Sequence, residues 1–400
     1  MTFDDVFTPE HLYISYRKCI KGVSWKGTVQ NYKFHSLTNL DDTFEELKNE
    51  TFESGKFYKF DLIERGKLRH IKSVGIKERI VQRCLCDYCL VPTLSKLFIY
   101  DNMACLKNKG LHKALERMKY QLRLYYKRYK TNDGYILQFD FHHYFETIPH
   151  KTLLEKVSNY IDDPKLMRII SRLVNDFDGE YGIGLGSQIS QILALYYPND
   201  IDHVVIKTTK DGYGRYMDDG HVISKNKDVL HKCMKLIEEM TKSLITLNKN
   251  KTQIIKLSHG FTYLKARYYL TSTGKVIVKP NKKNITKNRR RLKKLIRMGK
   301  SKKELDAYVN CIIGNWKHYN AFWTIRNFIK FYKEELKMLK HEYPYVDEKG
   351  TEHHDLERIY SDEGYQILQE DTGLIYEDVV DPFPSRHTYV ELSPKEDDVS

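Results

Sequence analysis

Residues 214–224 read GRYMDDGHVIS, and the two adjacent aspartates at their centre constrain this chain more than any other feature. Tyr216 and Met217 precede them and the β-branched Val222 and Ile223 follow, which is the pattern of a strand, a tight turn and a second strand. Carboxylates placed side by side repel one another. They are either solvated on an exposed turn or form half of a cation site. The second alternative requires the fold to bring another carboxylate alongside.

Residues 134–150, GYILQFDFHHYFETIPH, supply a candidate: the apolar run 135–139 has the character of a buried strand and ends on Asp140. If that strand neighbours the hairpin, Asp140, Asp218 and Asp219 converge. A cluster of this kind holds two Mg²⁺ ions about 4 Å apart, one activating an attacking hydroxyl and one neutralising triphosphate oxygens. The positive charge would then offset the repulsion between the paired aspartates.

Charge points the same way. The 400 residues carry a net +14, distributed unevenly: residues 1–340 have 63 basic and 36 acidic side chains, residues 341–400 have 4 and 17. A basic body implies a polyanionic partner, with nucleic acid the leading choice, and an acidic tail is appended to it. That tail is open to three readings: a solvated charge tail, an interaction arm, or a strap over the basic surface. His353 and His354 beside Asp355 have a metal-binding composition, though scattered surface histidines are commoner. No apolar run reaches membrane-spanning length, and MTFDDVFTPE has neither a basic nor an apolar leader segment, so a cytoplasmic protein without a membrane partner is expected. Cys84, Cys86 and Cys89 lie in an apolar helical pattern with no second ligand pair, which favours buried thiols over zinc.

Along the chain, residues 56–76 alternate like a hairpin turning near Gly66, and helical stretches follow at about 77–97 and 111–129. Residues 151–174 have a helical pattern, and the glycine-punctuated segment 182–191 opens into an apolar helix. After the aspartate hairpin, Leu230, Met234, Ile237, Met240 and Leu244 share a helical face, and residues 260–280 form a meander of strands. The order of elements gives an α+β fold in which both carboxylate sites meet on one antiparallel sheet. Residues 279–303 are dense in Lys and Arg interleaved with Leu292, Leu295, Ile296 and Met298, a basic amphipathic helix suited to phosphate backbones. Trp316, Tyr319, Phe322 and Trp323 fall at helical spacing and are expected in a core rather than stacked on bases.

Six segments in order resemble reverse transcriptases of prokaryotic retroelements: ERGKLRHIKSVGIKERIVQ (64–82), FIYDNMACLKNKGLHKAL (98–115), FDFHHYF (139–145), YMDD (216–219), LNKNKTQI with GFTYLKARYY, and YVNCIIGNWKHYNAF (308–322). The resemblance spans roughly residues 55–330. It implies a right-hand polymerase with fingers at 1–134 including an N-terminal helical extension, palm at 135–280 with an antiparallel sheet, a helical thumb at 281–340, and the tail at 341–400. By position, Asp140, Asp218 and the Phe141 carbonyl would bind metal, with Asp219 supporting. Lys67 and Arg69 would contact the incoming triphosphate, and Phe145 would sit under the sugar as a gate favouring dNTPs. Lys251 falls where the family has a lysine able to protonate pyrophosphate, with Lys249 close by. Arg289, Arg290, Arg291, Lys293 and Lys294 would hold nucleic acid on the thumb.

One segment departs from the commoner family pattern. LGSQISQ (185–191) puts Leu185, followed by Gly186, where most members have Gln-Gly, and Gln191 where they have Pro. The variant resembles the enzymes of diversity-generating retroelements, in which loss of that Gln is associated with relaxed fidelity; an aliphatic side chain packs but cannot hydrogen-bond. The competing reading is that Leu185 fills space. The resemblance implies RNA-directed DNA synthesis from a structured, noncoding template RNA encoded nearby, giving an RNA–DNA hybrid, in a diversity-generating or antiphage defence system. Rival readings are an RNA-directed RNA polymerase, disfavoured by Phe145 and Tyr-Met-Asp-Asp, template-independent synthesis, and a catalytically silent RNA-binding relative. The sequence leaves oligomeric state and priming mode open.

Overall fold

The structure, a computed structural model, describes residues 1–55, 57–64, 67–177, 179–241 and 245–342, with Tyr345–Val346 and Glu352–His353. The rest of the acidic tail, the turn residues 65–66, Leu244 and the side chain of Lys67 lie outside the described residues. Two compact units divide the chain, Met1–Ser258 and His259–Ser400.

In the first unit, β1 (Tyr58–Glu64) and β2 (Lys67–Ser73) pair antiparallel as a separate hairpin. The central sheet has β3 (Tyr135–Asp140), β4 (Gly212–Tyr216), β5 (Asp219–Ser224) and β6 (Gln253–Lys256), in the order β4-β5-β3-β6. All its pairings are antiparallel. β3 and β5 are central and buried along nearly their whole length, which accounts for their runs of apolar residues instead of strict alternation. Helix Leu111–Tyr129 packs on β4, and helix Lys227–Met240 packs on β5 and β3. The second buries Leu230, Cys233 and Ile237, so Cys233 replaces the expected Met240, which is exposed near the helix end.

The helical pattern at 151–174 is two helices, His150–Ser158 and Pro164–Asn175. Pro164 cannot continue a helix entered from before it, having no N–H and restricting its predecessor. Asp163 starts the second helix, accepting from the backbone N–H groups of Lys165 and Leu166. Cys84, Cys86 and Cys89 are buried in the core, where burial pushes their thiols up.

The second unit begins with β7 (Phe261–Tyr263), β8 (Ala266–Leu270) and β9 (Val276–Pro280), an antiparallel three-stranded sheet. Three helices follow, Lys282–Arg297, Lys302–Trp316 and Phe322–Glu342, around a core including Leu292, Ile296, Val309, Trp316 and Phe328. The strands at 260–280, expected with the palm, thus group with the helices. Two expectations fail here. Met298 caps its helix and is exposed, and Phe322 and Trp323 are 70% and 66% exposed instead of joining Trp316 in the core.

Candidate active site

The sheet register brings the separated aspartates together. Asp140, the last residue of β3, lies directly opposite Asp219, the first residue of β5, and the preceding pair is Phe139 with Gly220. The Phe139 ring fills the space above Gly220, where a Cβ would come within 2.1 Å of it, so the position next to Asp219 has room for glycine alone. Only Met217 and Asp218 connect β4 to β5. A two-residue hairpin turn needs a positive φ, and Met217 supplies it at +57°, a conformation costly for a side chain of this size. Asp218 is held at the turn by its carbonyl, which accepts from the Phe141 N–H at 3.2 Å.

The three carboxylates are not equivalent. Asp140 is 4% exposed and engaged at both oxygens: Lys251 Nζ donates to Oδ1 at 2.6 Å and Asn248 Nδ2 to Oδ2 at 3.2 Å. Burial, followed by the charge of Asp140, pushes the Asp218 carboxyl up; burial and then the charges of Asp218 and Asp140 push Asp219 up. Lys251 and Arg69 oppose the rise at Asp218, which places the Arg69 charge within reach of the site. Partial burial pulls the Lys251 ammonium down, but its hydrogen bond to Asp140 and the aspartate charges outweigh this and raise it. Of the two candidate lysines, Lys251 is the one that pairs with Asp140.

Among the described residues no three histidine, cysteine or carboxylate side chains already close on one point, because Asp140 is turned to Lys251 and Asn248. The donor set nonetheless fits a hard divalent cation. All its donors are oxygens, its carboxylates are partly desolvated and mutually repelling, and an ammonium already occupies part of the position that positive charge would take.

Several supporting residues were not singled out from the sequence. Arg215, two residues before Met217, is fully buried with Asp202; its Nε and one terminal nitrogen donate to the Asp202 carboxylate at 2.6–3.1 Å. Its other terminal nitrogen donates to the Met217 carbonyl at 2.9 Å, fixing the strained turn. Asn248 holds Asp140 through both its side chain and its backbone N–H. Gln82, in the helix Ile76–Leu85, accepts from Ser187 Oγ at 2.7 Å and the Gln188 N–H at 3.3 Å, and donates to Glu78 at 2.8 Å. Arg215 directly preceding the YMDD residues was a usable signal; Asn248 and Gln82 carried none, since their partners are distant in sequence.

Leu185 is half-buried, and its carbonyl accepts from the Lys72 N–H of β2 at 3.2 Å. Gly186, at φ +106°, lies so close to β2 that a Cβ would meet Ile71 at 3.1 Å and the Lys72 carbonyl at 3.3 Å. The loop therefore abuts the hairpin bearing Arg69. Phe145 is half-buried beside Tyr144, and its carbonyl accepts from the Ile183 N–H. In the second unit, Arg289 lies over the Phe331 ring and Lys293 pairs with Glu335 at 3.0 Å, so these two face the bundle. Arg290, Arg291 and Lys294 are exposed.

An antiparallel sheet bearing paired aspartates at a hairpin turn opposite a strand-terminal aspartate, flanked by helices, has the form of a polymerase palm. Residues 58–267, just over half of the chain, match the family model for the reverse transcriptase (RNA-dependent DNA polymerase) domain, and the chain belongs to that family, with its right-hand α+β fold. Protein YkfC of Escherichia coli K12 is 23% identical over 246 residues, 50% of this chain and 62% of YkfC. Apo telomerase from Candida tropicalis, truncated from its C-terminal domain, is similar over 60% of each chain at 16% identity with a TM-score of 0.44. Telomerase from Candida albicans, solved with a fragment of telomeric RNA, is similar over 72% of this chain and 54% of its own at 11% identity, also with a TM-score of 0.44. The chain spans less than two thirds of the length of each of these relatives. No helix among the described residues is long and apolar enough to cross a membrane.

Proposed function

We propose that this chain is an RNA-directed DNA polymerase that copies an associated structured RNA into cDNA. The observation that carries the reading is the register of Asp140 against Asp219, with Asp218 at the adjoining strained turn. Asp140, Asp218 and the Phe141 carbonyl would hold two Mg²⁺ ions, supported by Asp219. When bound, such ions lower the pKa of the attacking hydroxyl and neutralise the triphosphate. Arg69, whose charge reaches Asp218, binds the triphosphate together with Lys67. Lys251 holds a proton at Nζ beside Asp140 and delivers it to the departing pyrophosphate. Phe145 lies under the sugar, where its ring excludes a 2′-hydroxyl. Leu185 offers the nucleotide only its aliphatic surface, which supports a relaxed-fidelity role in a diversity-generating element, with an antiphage defence system as the other setting. Arg290, Arg291 and Lys294 bind the phosphates of the template and the RNA–DNA hybrid.

The test is incorporation of labelled dNTPs or rNTPs with Mg²⁺ by protein purified with the RNA it carries, beside an Asp218→Ala, Asp219→Ala variant. Incorporation of dNTPs, lost in the variant and on RNA digestion, is expected. Errors concentrated at one template base would place the enzyme in a diversity-generating system, and faithful or repetitive copies in defence. Synthesis that persists after RNA digestion would make it template-independent. If neither nucleotide set is incorporated on its own RNA or on primed templates, the chain is an RNA-binding relative.

A further inference from the structure

We infer that Phe322, Trp323 and Arg326 form a stacking platform for unpaired bases of single-stranded RNA; this rests on the nucleic-acid reading above. Sequence spacing puts both rings in the core with Trp316, yet Trp316 is 1% exposed and they are 70% and 66% exposed. Leaving two large rings in water is unfavourable by the transfer energy of their apolar surface, so a soluble unit gains nothing from them unless something covers them.

Their arrangement is ordered. The rings pack edge to face, with centroids 5.3 Å apart and planes at 81°, and the Arg326 guanidinium lies 5.5 Å from the Trp323 ring centre, one helical turn on. They occupy the first two positions of the helix Phe322–Glu342, and the chain just before them is pinned. Asn320 donates its N–H to the Val278 carbonyl at 2.7 Å and accepts the Val278 N–H on its side chain at 2.9 Å. This two-point attachment to β9, with buried Ala321 behind it, holds the rings on a rigid mount. Ring stacking on a pre-ordered surface loses little conformational entropy on binding.

Charge selects the occupant. Residues 259–342 contain 22 Lys and Arg against 5 Asp and Glu, the remaining acidic residues of the unit lying in the tail beyond them. A protein partner meeting apolar rings in such a field would itself have to be strongly acidic, whereas single-stranded nucleic acid supplies phosphates for the basic groups and π-faces for the rings. Duplex regions present no free base faces, so the platform distinguishes unpaired from paired RNA. The exposed Arg290, Arg291 and Lys294 take phosphates of either form.

Binding of oligo(U) and of a blunt RNA duplex to the full chain tests this, with Trp25→Phe removing the other exposed tryptophan. Oligo(U) should quench Trp323 emission and the duplex should not. Phe322→Ala with Trp323→Ala should weaken oligo(U) binding on the order of tenfold, leave duplex binding unchanged and keep the salt slope. Trp323→Tyr should restore most of the affinity, and Arg290→Gln with Arg291→Gln should reduce the salt slope for both ligands. Wild-type oligo(U) affinity in the double alanine variant overturns the inference, as does concentration-dependent self-association that the variant abolishes. In either case duplex binding and dNTP incorporation would leave the polymerase reading standing. Failure of the parent chain to bind any RNA would remove both.

Discussion

The four-stranded sheet carries two buried groups of charge, and they are built on opposite principles. Asp202 and Arg215 are fully buried but complete: the guanidinium meets both carboxylate oxygens and two backbone carbonyls, and the Tyr213 hydroxyl donates to Asp202 at 2.6 Å. A few residues away, Asp140, Asp218 and Asp219 lie close enough for their charges to act on one another, and Asp140 pairs with Lys251, a largely exposed lysine. Burying like charges together without compensation is destabilising, and the raised carboxyls of Asp218 and Asp219 record it. The first group neutralises itself and supports the turn, whereas in the second Asp218 and Asp219 are raised by burial and by the neighbouring carboxylate charge. The Asp202–Arg215 pair is closed, and the aspartate cluster is left open, as its proposed cation-binding role requires.

The largest test of this contrast is Asp218→Asn. Incorporation should fall by on the order of 10³-fold or more. The thermal midpoint should hold or rise, since a repelling charge is lost. A variant that kept activity and melted lower would reverse the comparison. Next in size, Asp202→Asn should destabilise by about 3–5 kcal/mol in urea unfolding, because Arg215 is left buried without its partner. Unchanged unfolding would show that the pair is not the closed structural unit described here. Gln82→Leu removes the acceptor for Ser187 and the Gln188 N–H, at a cost of about 1–3 kcal/mol. Because that loop abuts β2, the KM for dNTP should rise more than kcat falls; equal stability and kinetics would separate the loop from the site.

The smallest effect concerns Glu78, which adjoins Gln82. Burial and then the charge of Asp176 raise its carboxyl to about 7, against hydrogen bonds from Gln82 and the Gly55 N–H. The folded protein therefore binds this proton more tightly than the unfolded chain. The stability so contributed is full below 4.5 and lost as pH rises through 7. Melting of the parent should decline from about pH 5 to about pH 8, by under about 2 kcal/mol, and Glu78→Gln should flatten the decline. Parallel curves for the two proteins would refute the assignment.

Much of the site could be read from the sequence because its signals are local. An apolar run ending on Asp140 and two aspartates between strand-forming residues state their own conformations, and the turn between them can be only as long as the intervening residues. Amphipathic spacing likewise located Leu292 and Ile296 in the basic helix. Spacing failed at Phe322 and Trp323 because a periodic pattern specifies which residues share a helix face without specifying what covers that face. It also could not divide Arg289 and Lys293, turned to the bundle, from Arg290, Arg291 and Lys294, which face water.

By itself, then, the sequence determined which residues carry charge into strands, where the chain turns, and which family's motifs it bears. The tertiary structure alone decided that Asp140 meets Asp219 across a register, that Lys251 and not Lys249 answers it, and that Arg215 and Gln82 brace the turn and the loop. The reason is physical. Backbone conformation is set largely by neighbours in the chain, whereas the energy of a buried charge or an exposed ring depends on groups brought beside it from far along the sequence.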